Sequence, residues 1–258
     1  MFESFRGVEP EQFGDNVKAL ALTVKAAHGS AGIAEEAFRS EAGRRRIPQI
    51  SDCMNNMKTT EQINKQINEH RKFWNCEKTA SPLVSFRIGN YFFATHYESA
   101  KKLLVTGMQI TPDMIDVDSF LEDYEKQYNE VSILNQSGFW TAEPNTGIPW
   151  MESFWGCEIV ANRESFISRP IAKEARDLEK LRFSMDNPWV AKYFEFVKKL
   201  NNLSHGRFPV GAPIMRGQGD TAGALMGQTE FIYALYEEPK IIKKTLCKVV
   251  DSFLQIYE

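Results

Sequence analysis

The chain has 258 residues, 43% hydrophobic and 25% charged, which excludes disorder as its main state and suffices for one large domain or two small ones. Its formal charge of -3, with 31 Lys and Arg against 34 Asp and Glu, excludes a general attraction to nucleic acid or anionic membranes. No run nears the roughly 18 apolar residues that cross a bilayer, and the N-terminus, with Glu3, Glu9, Glu11 and Asp15, lacks a signal peptide's basic start and apolar core, so a cytoplasmic protein is expected.

Residues 13 to about 45 place Val17, Leu20, Val24 and Ala27 at helical spacing, then Ala34, Ala37 and Phe38 after Gly29-Ser30, which predicts a helical hairpin. Arg44-Arg45-Arg46 reads as a solvated helix end. A helix follows from Thr59 to Trp74, with Ile63, Ile67, His70 and Trp74 on one face, and then a short β-prone segment, Pro82-Leu-Val-Ser-Phe86, that exits at Gly89. Helices are predicted over 97–105 and 118–131, with Asp116 or Asp118 as N-cap of the second. A second strand ends near Phe139-Trp140-Thr141. Two further helices cover 172–184 and 188–202, the latter opened by Asn187 with Pro188 in its first position. Arg207-Phe-Pro-Val-Gly211 gives a third strand, followed by a glycine-rich turn over 211–223 and helices over 228–237 and 239–257. Strands alternating with helices predict an α/β fold of parallel strands joined by crossovers.

The stretch from Gly138 to Cys157 concentrates Trp140, Trp150, Phe154 and Trp155 with the turn formers Pro144, Asn145, Gly147 and Pro149. So much aromatic surface is costly to expose. A rigid loop carrying Glu143 and Glu152 therefore reads as the wall of a pocket, with Glu143 either the pocket acid or base or a helix cap, and Glu152 structural. Cys53, Cys76, Cys157 and Cys247 are widely spaced and read as free thiols. Burial makes Cys157 inert, and His96 and His205 read as structural. Gly217-x-Gly219-x-x-x-Gly223 is one residue too long for a dinucleotide fingerprint.

Several segments, in this order, resemble the uroporphyrinogen decarboxylase superfamily, which includes the decarboxylase of haem biosynthesis and the cobamide-dependent methyltransferases. They are Pro82-Leu-Val-Ser-Phe-Arg-Ile-Gly-Asn-Tyr91, Phe139-Trp-Thr-Ala-Glu143, Trp155-Gly-Cys-Glu-Ile159, Ser165-Phe-Ile-Ser-Arg-Pro170 and Pro209-Val-Gly-Ala-Pro213. The resemblance spans roughly residues 60–258. It implies a TIM-type (β/α)8 barrel, incomplete in this span with about three N-terminal strands, after a helical extension over 1–58. It also implies that Arg87, Glu143 and Met215-Arg216 face one cavity.

On this reading Glu143 is the catalytic carboxylate, and Arg87, Asn90, Tyr91, Trp140, Trp150, Met215 and Arg216 contact a small-molecule substrate. Arg87 and Arg216 are each either a ligand clamp or an ion-pair partner. The decarboxylase resembles Arg-Gln-Ala-Gly-Arg-Tyr in its first strand; here Asn90 replaces the second arginine, and an amide lacks the charge that recognises a carboxylate. The resemblance thus favours the corrinoid-dependent methyltransferase type over uroporphyrinogen III decarboxylase, with a catalytically incomplete fragment or subunit as the third reading. Methyltransferases of this kind bind zinc through His-x-Cys and a later Cys in the second half of the barrel, and nothing here matches those ligands. Zinc and a corrinoid are expected only of a full-length form. The expected partners are a corrinoid protein, and a second copy or a completing chain.

Overall fold

The computed structural model describes residues 60–79, 82–86, 93–134, 136–145 and 147–257. The helical extension expected over 1–58 lies outside them, as do Arg87, Asn90 and Tyr91.

Helices dominate. α1 (Thr60–Trp74) is tied to the distant 137–138 segment by Gln66, whose amide donates to the main-chain oxygens of Ser137 at 2.5 Å and Gly138 at 2.9 Å. Two 3₁₀ turns (Ala94–His96 and Glu98–Leu103) lead to α2 (Val117–Ser132), capped by Asp116, which accepts from Asp118 N. α3 (Trp150–Phe154) is short and wholly buried. α4 (Ala175–Lys180) precedes α5 (Pro188–Ser204), whose first turn is fixed by Asn187 as N-cap and Pro188 at N1. His205, in the left-handed region at φ 44°, ends α5. Gly227, at φ 99°, separates α6 (Gln218–Met226) from α7 (Gln228–Glu237). α8 (Pro239–Tyr257) buries Ile242, Thr245, Val249, Ser252 and Ile256, one stripe at helical spacing. Among the described residues no helix is long and apolar enough to cross a membrane.

The expected α/β barrel is not formed. Among the described residues the one sheet is antiparallel, in the order β1 (Gln109–Ile110), β2 (Glu158–Ala161), β3 (Phe166–Arg169). Its hairpin turn is built by Asn162, whose side-chain oxygen accepts from Glu164 N at 2.8 Å and Ser165 N at 2.6 Å. Among the described residues the three segments expected as parallel strands form no ladder. Ser137 N and Gly138 N both turn to the Val84 carbonyl, and Ala142 makes one parallel bridge to Val210. Their polar groups are used elsewhere: Ser137 Oγ takes the Val84 amide and Gln136 Oε1 the Phe86 amide. Pro82 and Pro209 remove donors from the first and third of these segments.

The core centres on Trp150. Its ring lies 5.5 Å from Tyr193, 6.0 Å from Phe154 and Phe196, and 6.2 Å from Trp189, so α3 is clasped by α5. Phe120 of α2 meets Phe196 edge-on at 5.5 Å and extends the cluster. Edge-on aromatic pairs contribute about 0.5–1.5 kcal/mol each beyond burial, which makes this cluster the fixed wall on which the neighbouring loop rests.

Candidate functional site

Two chain segments converge beside that wall. The parallel bridge of Ala142 with Val210, in which Ala142 N donates to Pro209 O at 3.0 Å and Gly211 N to Ala142 O at 2.8 Å, brings the exits of both segments to the same end. Glu143 therefore lies beside Gly211, where a side chain could not be added freely. A Cβ there would stand 2.8 Å from Thr141 Cγ2 and 3.7 Å from Glu143 Cγ.

From Glu143 the chain runs through a loop that its own side chains hold rigid. The Tyr124 hydroxyl donates to Glu143 O at 2.7 Å, and burial, reinforced by Tyr97, pushes that phenol well above its usual range. Asn145, fully buried, accepts from Gly147 N at 2.8 Å through its side chain, and its main-chain oxygen accepts from Trp150 Nε1 at 3.0 Å. The Asn145 side-chain amide nitrogen has no hydrogen-bond partner. Gly147 passes so close to Ala94 that a Cβ on it would lie 2.8 Å from the alanine methyl and 2.9 Å from its main chain.

The same loop delivers Glu152 to the other segment. Glu152 is fully buried and its Oε1 lies 2.9 Å from Arg216 Nη1. The approach is ionic only: it lacks hydrogen-bond alignment, and among the described residues neither Glu152 oxygen accepts a hydrogen bond from another residue. Burial raises the carboxyl's pKa against the opposing pull of Arg216, and Asp220 adds to the rise. Beneath it, burial and the Glu152 charge push the Cys157 thiol up to about 12. Arg216 precedes α6, and Thr221 Oγ1 pins its main-chain oxygen at 3.2 Å. The site is thus a seam between 143–152 and 211–217, closed at one end by Glu143 with Gly211 and at the other by Glu152 with Arg216.

The remaining expected site residues are dispersed. Trp150 is a core residue. Trp140 packs against Phe208 at 4.9 Å and Tyr128 at 5.7 Å, and the same two rings carry Arg207, which is paired in two hydrogen bonds to Glu125. Met215 is half-buried against the core. Sequence reasoning took Glu152 as structural and Asn145 only as a turn former, and passed over Thr221. The signal for Glu152 was its lone charge inside Trp150-Met-Glu-Ser-Phe-Trp155. Among the described residues, no three His, Cys, Asp or Glu side chains come together in a way that holds a metal ion.

Comparison with protein-family models, with curated proteins and with solved structures finds no match to this chain.

Proposed function

We propose that the chain is a uroporphyrinogen decarboxylase-like protein of the corrinoid-dependent methyltransferase type, acting in the cytoplasm on a small methylated substrate. The barrel is no part of this reading, which rests on the site and on the residues that resemble the family. The observation that carries it is the seam itself, where Glu143 and a cation, Arg216, are delivered to facing segments by one parallel bridge and by the ion pair of Arg216 with the buried Glu152. Loss of a methyl group from oxygen or nitrogen leaves a basic heteroatom that needs a proton, and the role of supplying it is assigned to Glu143. Arg216 orients the substrate, and the aromatic wall behind Trp150 keeps the loop in place. The described residues do not form a zinc site, so no step is routed through that metal. A corrinoid held by a partner protein would be the methyl acceptor.

The test is methyl transfer to supplied cob(I)alamin from a panel of methylated alcohols, amines and thiols, followed by the absorbance change of the corrinoid. Transfer from at least one donor, lost in Glu143→Gln, is the expected result. No transfer from any donor removes the reading, and conversion of uroporphyrinogen to coproporphyrinogen would replace it with decarboxylation.

A further inference from the structure

α8 is apolar around more of its circumference than the core uses. Ile242, Thr245, Val249, Ser252 and Ile256 form its buried stripe, and a second stripe at the same three-and-four spacing, Cys247, Val250, Leu254 and Tyr257, stands exposed. Leu246 and Phe253, half-buried against the core, join the two. The polar residues Lys240, Lys244, Lys248, Asp251 and Gln255 keep to a single strip along the remaining side. Scattered apolar side chains on a surface are ordinary. Four in register over about three turns of one helix are a seam of the kind that a second helix covers.

Charge selects the kind of helix. Lys243 continues the exposed stripe one turn before Cys247, and Lys240 flanks it; both are exposed. The other two lysines of α8 are engaged, Lys244 with the Glu179 carboxylate at 3.4 Å and Lys248 with Glu179 O at 2.9 Å. Glu237 and Glu238, which precede α8, line the cleft against α4 together with Lys173 and Arg176. Asp251, beside the stripe, is the opposing charge. A second copy of α8 is a poor cover, because it offers Lys243 either another lysine or the apolar stripe. A helix with carboxylates along its flank offers both lysines a partner.

We infer that the exposed stripe of α8 docks an acidic amphipathic helix of a partner chain, whose apolar residues cover Cys247, Val250, Leu254 and Tyr257 and whose carboxylates meet Lys240 and Lys243. The inference is independent of the proposed function. Its probe is a fluorescein-labelled peptide of about three heptads, with leucine at the a and d positions and glutamate at e and g, and a twin that carries lysine in place of glutamate. Anisotropy at low salt is expected to give a dissociation constant on the order of 10 µM for the glutamate peptide, and binding about tenfold weaker or worse for its twin. Leu254→Glu, at an exposed position, should weaken the glutamate peptide about tenfold. The double change Lys240→Glu with Lys243→Glu should reverse the preference between the two peptides. Each variant is first shown to melt as the parent does. Saturating glutamate peptide should also slow alkylation of Cys247 and leave that of Cys76 unchanged. No binding of the glutamate peptide, equal binding of the twins, or an unchanged affinity in Leu254→Glu would each overturn the inference. So would a concentration-dependent dimer of the wild-type chain in sedimentation that Leu254→Glu abolishes, which would assign the stripe to a second copy.

Discussion

The Asn187 side chain joins two helices: its oxygen caps α5 by accepting from Trp189 N at 2.8 Å, and its nitrogen donates to Phe154 O at 2.9 Å and Ser153 O at 3.2 Å at the end of α3. One residue thus closes the N-terminus of one helix and the C-terminus of another. Asn187→Ala is expected to cost about 2 kcal/mol, roughly 1 for the cap and the rest for the carbonyls left without a donor. Asn187→Asp, which keeps the cap and loses the donor, should cost about half as much. Urea midpoints at unchanged slope decide between them.

Gly147→Ala places a methyl within 2.8–2.9 Å of Ala94, main chain included. The backbone of the 143–149 loop must then move, with a loss of about 1–3 kcal/mol. A melting temperature equal to that of the parent would show that the close approach is not maintained in solution.

Glu152 makes stability depend on pH in a direction opposite to that of an ordinary paired carboxylate. Its pKa is raised in the folded chain, mainly by burial, with Arg216 opposing and Asp220 adding; Cys157 is the remaining titratable neighbour. The folded chain therefore holds this proton more tightly than the unfolded one. Its stabilising contribution is complete below the ordinary value of 4.5 and is lost as pH rises through the folded value. Glu152→Gln should consequently gain stability relative to the parent between pH 4.5 and 8, by on the order of 1 kcal/mol. Urea unfolding of both chains at the two pH values measures it, and a difference that is constant or of the opposite sign contradicts the assignment.

Thiol reactivity should divide by burial. Cys76 and Cys247 are exposed, whereas Cys157 is buried with its pKa pushed up to about 12. Among the cysteines of the described residues, iodoacetamide at pH 8 is expected to label Cys76 and Cys247 in the native chain, and Cys157 only after denaturant is added. Mass mapping of the labelled peptides gives the answer, and native labelling of Cys157 at a comparable rate would contradict its burial.

Helices were legible wherever sequence supplied both a period and a cap. Asp116 before Val117 and Asn187-Pro188 before Trp189 mark the starts of α2 and α5 within a residue or two, and the apolar stripe of α8 gives nearly its full length. The strands were not. Pro82-Leu-Val-Ser-Phe86 and Arg207-Phe-Pro-Val-Gly211 have strand composition, but side chains and prolines divert the donors a ladder requires. The real hairpin, 158–161 with 166–169, was signalled by Ile159 and Val160, then Asn162, then Phe166 and Ile167, a pattern short enough to pass for a connection. For the site, Arg216 was visible because it follows an extended segment. Glu152 was read as a structural member of a pocket wall, and its complete burial beside Arg216 follows from the tertiary packing, which the sequence does not display.

The bridge between Ala142 and Val210 has a kinetic consequence. It joins segments separated by α3, the hairpin, α4 and α5, so Glu143 and Gly211 become neighbours only after that whole stretch has been gathered in and its loop-closure entropy met. The Ala142 and Gly211 amides, each donating across this one bridge, are natural reporters of that event. Their hydrogen exchange would track the opening and closing of the seam as a unit, separately from the fraying of either helix that flanks it.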